Sequence, residues 1–131
     1  DKSLATIPNF QFAENAVINN SQTTNRRINW MIGLEYRTTS EQLKNIKNQI
    51  EEFIKNNDDF SKSENTMLSV KIDQFAASSI DIRLICFTKT KHFQEWLNVK
   101  DTLALEIKNI VETNKASFAF PSTSIYVEKN G

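Results

Sequence analysis

From residue 28 to 36 the chain alternates strictly. Ile28, Trp30, Ile32, Leu34 and Tyr36 are separated by Asn29, Met31, Gly33 and Glu35, and a period of two predicts a strand with one buried face. Thr38-Thr39-Ser40-Glu41-Gln42 then supplies a helix start, with Thr39 capping and Gln42 reaching back, or Thr38 with Glu41. Leu43, Ile46, Ile50, Phe53 and Ile54 fall on one helical stripe, with Lys44, Lys47, Glu51 and Lys55 outside it. Asn56 to Asp59 stops that helix, and residues 61–66 read as polar loop.

The second half repeats the theme. Leu68, Val70 and Ile72 alternate with polar residues, and so do Ile80, Ile82, Leu84 and Cys86 with Asp81, Arg83, Ile85 and Phe87. The short connection Ala76 to Ser79 makes these two strands an antiparallel hairpin. A helix is expected from about Lys91 to Thr113, with Phe93, Trp96, Leu97, Leu103, Ile107, Ile110 and Val111 as core candidates and Asn114 in the left-handed turn after it. Phe118 and Phe120 begin a last strand, which Pro121 stops because proline cannot donate to a ladder. Thr123 to Val127 reads as one more short strand. Ahead of it all, Ile7-Pro8-Asn9-Phe10 reads as a strand end or turn, the tail of a small β element that leads into a polar linker.

The core order is strand, helix, strand, strand, helix, strand. Each helix links strands that are not hairpin partners, so right-handed crossovers put both helices on one face. The expected fold is α+β, a ferredoxin-like βαββαβ sandwich with short β extensions at both ends. Its opposite sheet face, through Met31, Gly33, Ile85 and Phe87, is partly apolar and suggests a partner surface.

Composition narrows the chemistry. The 131 residues fit one domain with 39% hydrophobic and 24% charged residues. Sixteen basic and sixteen acidic residues cancel, which argues against a nucleic-acid partner. One histidine and one cysteine cannot build a His/Cys metal site, and two glycines cannot build a phosphate cradle. No cofactor is expected. No apolar run approaches the ~20 residues that cross a bilayer. The start at Asp1, without an initiator methionine, reads as a piece of a longer protein.

Candidate residues mostly read as structural. His92 has no catalytic partner nearby in sequence and reads as a solvated helix start. Cys86 shares a face with Ile80, Ile82 and Leu84 and reads as a buried, inert thiol. Arg26-Arg27 reads as surface charge or an ion pair rather than an anion site. Trp30 and Tyr36 share their face with aliphatic residues and read as core rather than as base-stacking platforms.

Several stretches together carry a family likeness: Ile7-Pro8-Asn9, Val17-Ile18-Asn19-Asn20-Ser21, Arg26-Arg27, Ile32-Gly33-Leu34-Glu35-Tyr36, Phe75 with Ser78-Ser79-Ile80, and Phe118-Ala119-Phe120-Pro121. In order and spacing they resemble the cytoplasmic region of small-conductance mechanosensitive (MscS-type) channels. The resemblance implies that residues 1–20 end a middle β domain, 21–27 are a linker, 28–120 are the α/β domain and 121–131 hold an oligomerising strand and tail. It implies identical subunits as partners, a heptamer in the full-length protein. It also implies membrane attachment through helices upstream of Asp1, on the cytoplasmic side of a bacterial inner membrane, and permeating ions and small solutes released on hypo-osmotic shock. Under it, Phe118, Phe120, Pro121, Ile125 and Tyr126 would hold subunits together, and Gln22, Thr23, Thr24, Arg26 and Arg27 would lie at the side portals. Gln22-Thr23-Thr24 is uncharged where such channels often carry charge, and Asn114-Lys115 stands where they have glycine.

Two other functions share this fold. A small-molecule-binding regulatory module would bind its ligand between paired sheets. A small hydrolase of acylphosphatase type needs an arginine-bearing anion loop after the first strand, and Arg37-Thr38-Thr39-Ser40 lacks the glycine for one.

Overall fold

A computed structural model describes residues 10–12, 25–63 and 66–120. Its elements are β1 (Phe10–Phe12), β2 (Arg26–Leu34), α1 (Ser40–Lys55), β3 (Ser69–Phe75), β4 (Ile80–Thr88) and α2 (Phe93–Thr113). The strands form one antiparallel sheet in the order β1-β2-β4-β3. This is the expected α+β architecture, and β2 begins two residues earlier than the alternation alone predicts.

β2 and β4 pair without interruption from Arg26 opposite Thr88 to Leu34 opposite Ile80. That register places Ile28, Trp30, Ile32 and Leu34 beside Ile80, Ile82, Leu84 and Cys86 on one face, and all eight are buried. Leu43, Ile46, Ile50 and Ile54 of α1 join the same core as Trp96, Val99, Leu103, Ile107, Ile110 and Val111 of α2. Both helices therefore lie on one face of the sheet. Phe60, 1% exposed, closes the core from the segment after α1, where it bridges to Thr88.

Local chemistry fixes the helix ends. Thr39 caps α1: its hydroxyl accepts from Gln42 N (3.1 Å), and Gln42 Oε1 accepts from Thr39 N (2.8 Å). Gln42 Nε2 also donates to Asn114 O (2.7 Å), so one side chain joins the start of α1 to the end of α2. At that end the left-handed residue is Lys115 (φ 60°), whereas Asn114 has φ −90°. Lys115 N donates to Glu112 O (3.0 Å) and Ala116 N to Val111 O (3.1 Å), the paired bonds that place the left-handed position one residue past the cap. The expectation for Asn114 is thus off by one residue.

Four further expectations are corrected. The last strand shrinks to a single bridge between Phe118 and Leu34, flanked by Glu35 N donating to Ser117 O (3.1 Å) and Ala119 N to Gly33 O (3.0 Å). The cause is β1, whose Phe10 already sits opposite Ile32 on the same edge of β2. Tyr36 is 48% exposed rather than core, because a turn closed by Thr38 N to Glu35 O (3.1 Å) ends the strand before it. Phe93 and Leu97 are exposed (54% and 36%), since α2 buries the stripe through Trp96, Val99 and Leu103 instead. Ile72 lies at the edge next to a register shift between Ile72 and Gln74, and is 36% exposed.

A lysine in the left-handed region carries a backbone cost that glycine does not. Lys115→Gly is expected to stabilise the fold by about 0.5–1 kcal/mol, read as a higher urea midpoint at unchanged slope.

Candidate subunit-contact site

Two surfaces stand out, one at each end of β2. At its C-terminal end the turn at Tyr36 and the β3–β4 connection meet. The Tyr36 hydroxyl donates to the Ala76 carbonyl, and the Tyr36 ring stacks on Phe75 with centroids 6.4 Å apart and planes at 24°. The shift after Ile72 sets Phe75 opposite Ile80 at the strand end, where it is 69% exposed. Phe120, 62% exposed, lines the same cleft as Tyr36. Glu35, Tyr36, Arg37, Ser78, Ala119 and Phe120 line an open cleft of about 640 Å³. Its charged members are paired, with Arg37 Nε 2.8 Å from Glu35 Oε1. An exposed pair of that kind contributes little to stability, so the corner's character is aromatic.

At the N-terminal end of β2, Arg26 shares the helix-facing parity of Ile28 and Trp30. Its guanidinium carbon lies 5.6 Å from the ring centroids of both Phe93 and Trp96. Lys100 Nζ sits 4.2 Å from the Trp96 centroid. Arg26 Nε and Trp96 Nε1 are buried with no hydrogen-bond acceptor among the described residues, and cation–π stacking contributes to holding this cluster. Arg26 is therefore half-buried over aromatic rings rather than simple surface charge, and it belongs to β2 rather than to a linker.

The remaining candidates are structural. Trp30 is 2% exposed, which leaves no face for a base. His92 is the exposed N-cap of α2 and makes no side-chain cap bond. Cys86 is buried, and burial pushes its thiol well above its ordinary pKa of 9.0. Among the described residues no cluster of His, Cys, Asp or Glu could hold a metal, and no helix is long and apolar enough to cross a membrane. Of the predicted contact residues, Phe118 is half-buried against the core and Phe120 is exposed, whereas Pro121, Ile125 and Tyr126 lie outside the described residues. So do Gln22, Thr23 and Thr24. Arg27 is half-buried on β2, opposite Phe87.

Comparison with known proteins identifies the family and the fold. The family model described as "Mechanosensitive ion channel MscS, C-terminal" matches residues 28–118. The chain belongs to the MscS family. An MscS family protein of Aquifex aeolicus is 39% identical over 129 residues, covering 98% of this chain and 34% of that protein. The low conductance mechanosensitive channel YnaI of Escherichia coli is 37% identical over 122 residues, covering 93% of this chain and 35% of that protein. The crystal structure of Helicobacter pylori MscS in a closed state superposes with a TM-score of 0.59 at 25% identity, over 79% of this chain and 38% of that one. Arabidopsis thaliana MSL1 has the same fold, with a TM-score of 0.67 at 19% identity over 76% of this chain and 35% of that one. The chain spans about a third of the length of these relatives. The MscS match takes in both helices, β3, β4 and β2 from Ile28 on, leaves out β1, Arg26 and Arg27, and stops just short of Phe120 in the aromatic corner.

Sequence reasoning missed the Tyr36–Phe75 pair. Signals for it existed: Tyr36 directly precedes the turn into α1, and Phe75 falls off the parity of Leu68, Val70 and Ile72.

Two outcomes follow from the chemistry of the MscS domain. Arg26→Ala should cost about 1–2 kcal/mol in urea unfolding, with Arg26→Lys recovering part of it. Because the folded Cys86 pKa is raised, the stability this thiol contributes is fully present below 9.0 and is lost as pH climbs above it, when the unfolded thiol ionises. Cys86→Ala should flatten that alkaline decline in stability measured against pH.

Proposed function

We propose that this chain is the vestibule-forming domain of an MscS-type channel subunit, on the cytoplasmic side of the membrane. In this reading identical subunits, seven in the full-length protein, enclose a water-filled chamber. The channel releases ions and small solutes on hypo-osmotic shock. Gln22, Thr23 and Thr24 lie at the side portals in this reading, with Arg26 and Arg27 at the adjoining start of β2. Phe118, Phe120, Pro121, Ile125 and Tyr126 hold neighbouring subunits.

The observation that carries this reading is the family match, which extends in the Aquifex relative over nearly the whole chain, flanks included. The exposed aromatic corner supports it, because the largest apolar patch on a protein surface is often a contact site. The function needs no bond-making chemistry. An enclosed chamber filters solutes by the size and charge of its openings, and balanced charge favours neither ion sign across the chain as a whole.

The test uses the full-length protein in a bacterial strain without its own mechanosensitive channels. Survival of a sudden osmotic down-shift and tension-activated currents in excised patches are the expected results. Membrane-inserted protein that gives neither overturns the reading.

A further inference from the structure

A cavity of about 480 Å³ opens between the end of α1 and the start of β3. Its apolar lining comes from Ile54 of α1 and from Met67 and Leu68 just ahead of β3. Ile54 is 2% exposed and belongs to the core, whereas Met67 is 67% exposed. The cavity thus borders both the core and water.

The hydroxyls along its wall are bonded to one another. Thr66 Oγ1 lies 2.7 Å from Ser61 Oγ and 3.0 Å from Ser63 Oγ, and it donates to Ser63 O (3.0 Å). A hydroxyl has one proton and two lone pairs, so Thr66 has nothing left for a ligand. The neutral part of the lining therefore behaves as an apolar surface.

The charged part has one sign. Lys55 and Lys62 line the cavity and, among the described residues, no acidic side chain does. In a chain with sixteen basic and sixteen acidic residues that bias is local. Lys62 Nζ donates to Asn57 O (2.9 Å) and Phe60 O (3.3 Å), which fixes the ammonium and leaves one of its three N–H groups for another acceptor. It also covers carbonyls just past the negative end of α1, which would otherwise repel an anion. Lys55, exposed in the last turn of α1, makes no hydrogen bond or ion pair with the described residues.

An apolar floor with a few placed cations selects an apolar body that ends in an anion. A peptide strand would need donors and acceptors along its whole length, and the wall hydroxyls are already engaged. Volume sets the size. At about 30 Å³ per water-sized group the cavity takes roughly sixteen such groups. A two-chain lipid is far too large, and a single chain of about ten carbons with one carboxylate fits.

We propose that this cavity binds a free medium-chain fatty acid, with its chain against Ile54, Met67 and Leu68 and its carboxylate held by Lys55 and Lys62. The site lies within one folded unit and does not require the chain to assemble.

The probe is decanoate carrying a diazirine at the end of its chain, photolysed with the full-length protein in lipid nanodiscs. The expected result is label mapped by mass spectrometry to the stretch 54–68, suppressed by excess decanoate and not by the same concentration of decanol. Lys55→Gln with Lys62→Gln should lower labelling there about fivefold or more, and Lys55→Arg with Lys62→Arg should restore it. Met67→Trp, a change at an exposed position, should fill the cavity and block labelling with both lysines intact. Label found only elsewhere in the chain overturns the proposal. So does equal competition by decanol, which would show that the carboxylate is not recognised. Labelling of 54–68 that persists in the double glutamine variant, with an unchanged circular dichroism spectrum, overturns the assignment as well.

Discussion

The register between β2 and β4 is the constraint from which the rest of this domain follows. The pairs from Arg26–Thr88 to Leu34–Ile80 run without a break. A slip of one residue would turn Ile28, Trp30, Ile32 and Leu34 to the opposite face and bring Asn29, Met31 and Gly33 under the helices. Burying a Val, Leu or Ile side chain is worth about 1.5–3 kcal/mol, so several such positions lost together are comparable to the whole net stability of a typical domain, about 5–15 kcal/mol. The helices can cover only the face this register makes apolar. On the other face Arg83 donates to Asn29 Oδ1 (2.8 Å), and Asp81 accepts from Ser79 Oγ (2.6 Å) and Gln74 Nε2 (3.0 Å). Those bonds pair Arg83, Asn29 and Asp81 on that face, where Met31, Ile85 and Phe87 are half-buried.

The end of α2 transmits this order to the aromatic corner. The left-handed Lys115 reverses the chain so that Ser117, Phe118 and Ala119 arrive along β2. Gln42 fixes the reversal from the other side by donating to the carbonyls of Asn114 (2.7 Å) and Lys115 (3.2 Å). One glutamine thus caps α1, anchors the end of α2 and sets the direction in which Phe120 leaves. The aromatic corner is therefore defined by a few polar bonds placed outside it, although its own surface is apolar.

What was legible in the sequence followed from period and caps. Alternation located β2 and β4, the 3.6-residue stripe located α1, and Thr39 with Gln42 gave the capping box, because each depends on neighbours a few residues apart. The misplacements arise where distant chain decides. Nothing local to Phe118 says that β1 has taken the rest of the β2 edge, so a full strand was expected where one bridge forms. Nothing local to Arg26 says that Phe93 and Trp96 will lie beneath it. The family likeness identified the family correctly, and its stretches include Tyr36 and Phe75, but their exposure follows from a turn and a register shift that no short stretch shows.

The two ends of β2 are also where the unit made of β2, β3, β4 and the two helices joins the flanking chain. The chain comes in at Arg26, held by cation–π stacking on α2, and goes out at Phe120, just past the Ala119–Gly33 bond. Between Arg26 and Gly33 the strand spans roughly 24 Å at about 3.4 Å per residue. The shortest bonded path from one junction to the other therefore runs along β2 and across the short pairing with Ser117 to Ala119. Both helices and the β3–β4 hairpin form a closed loop to the side of that path. A load applied between the junctions would be borne by a strand paired along its length to β4, and the helical core would stay outside the line of force.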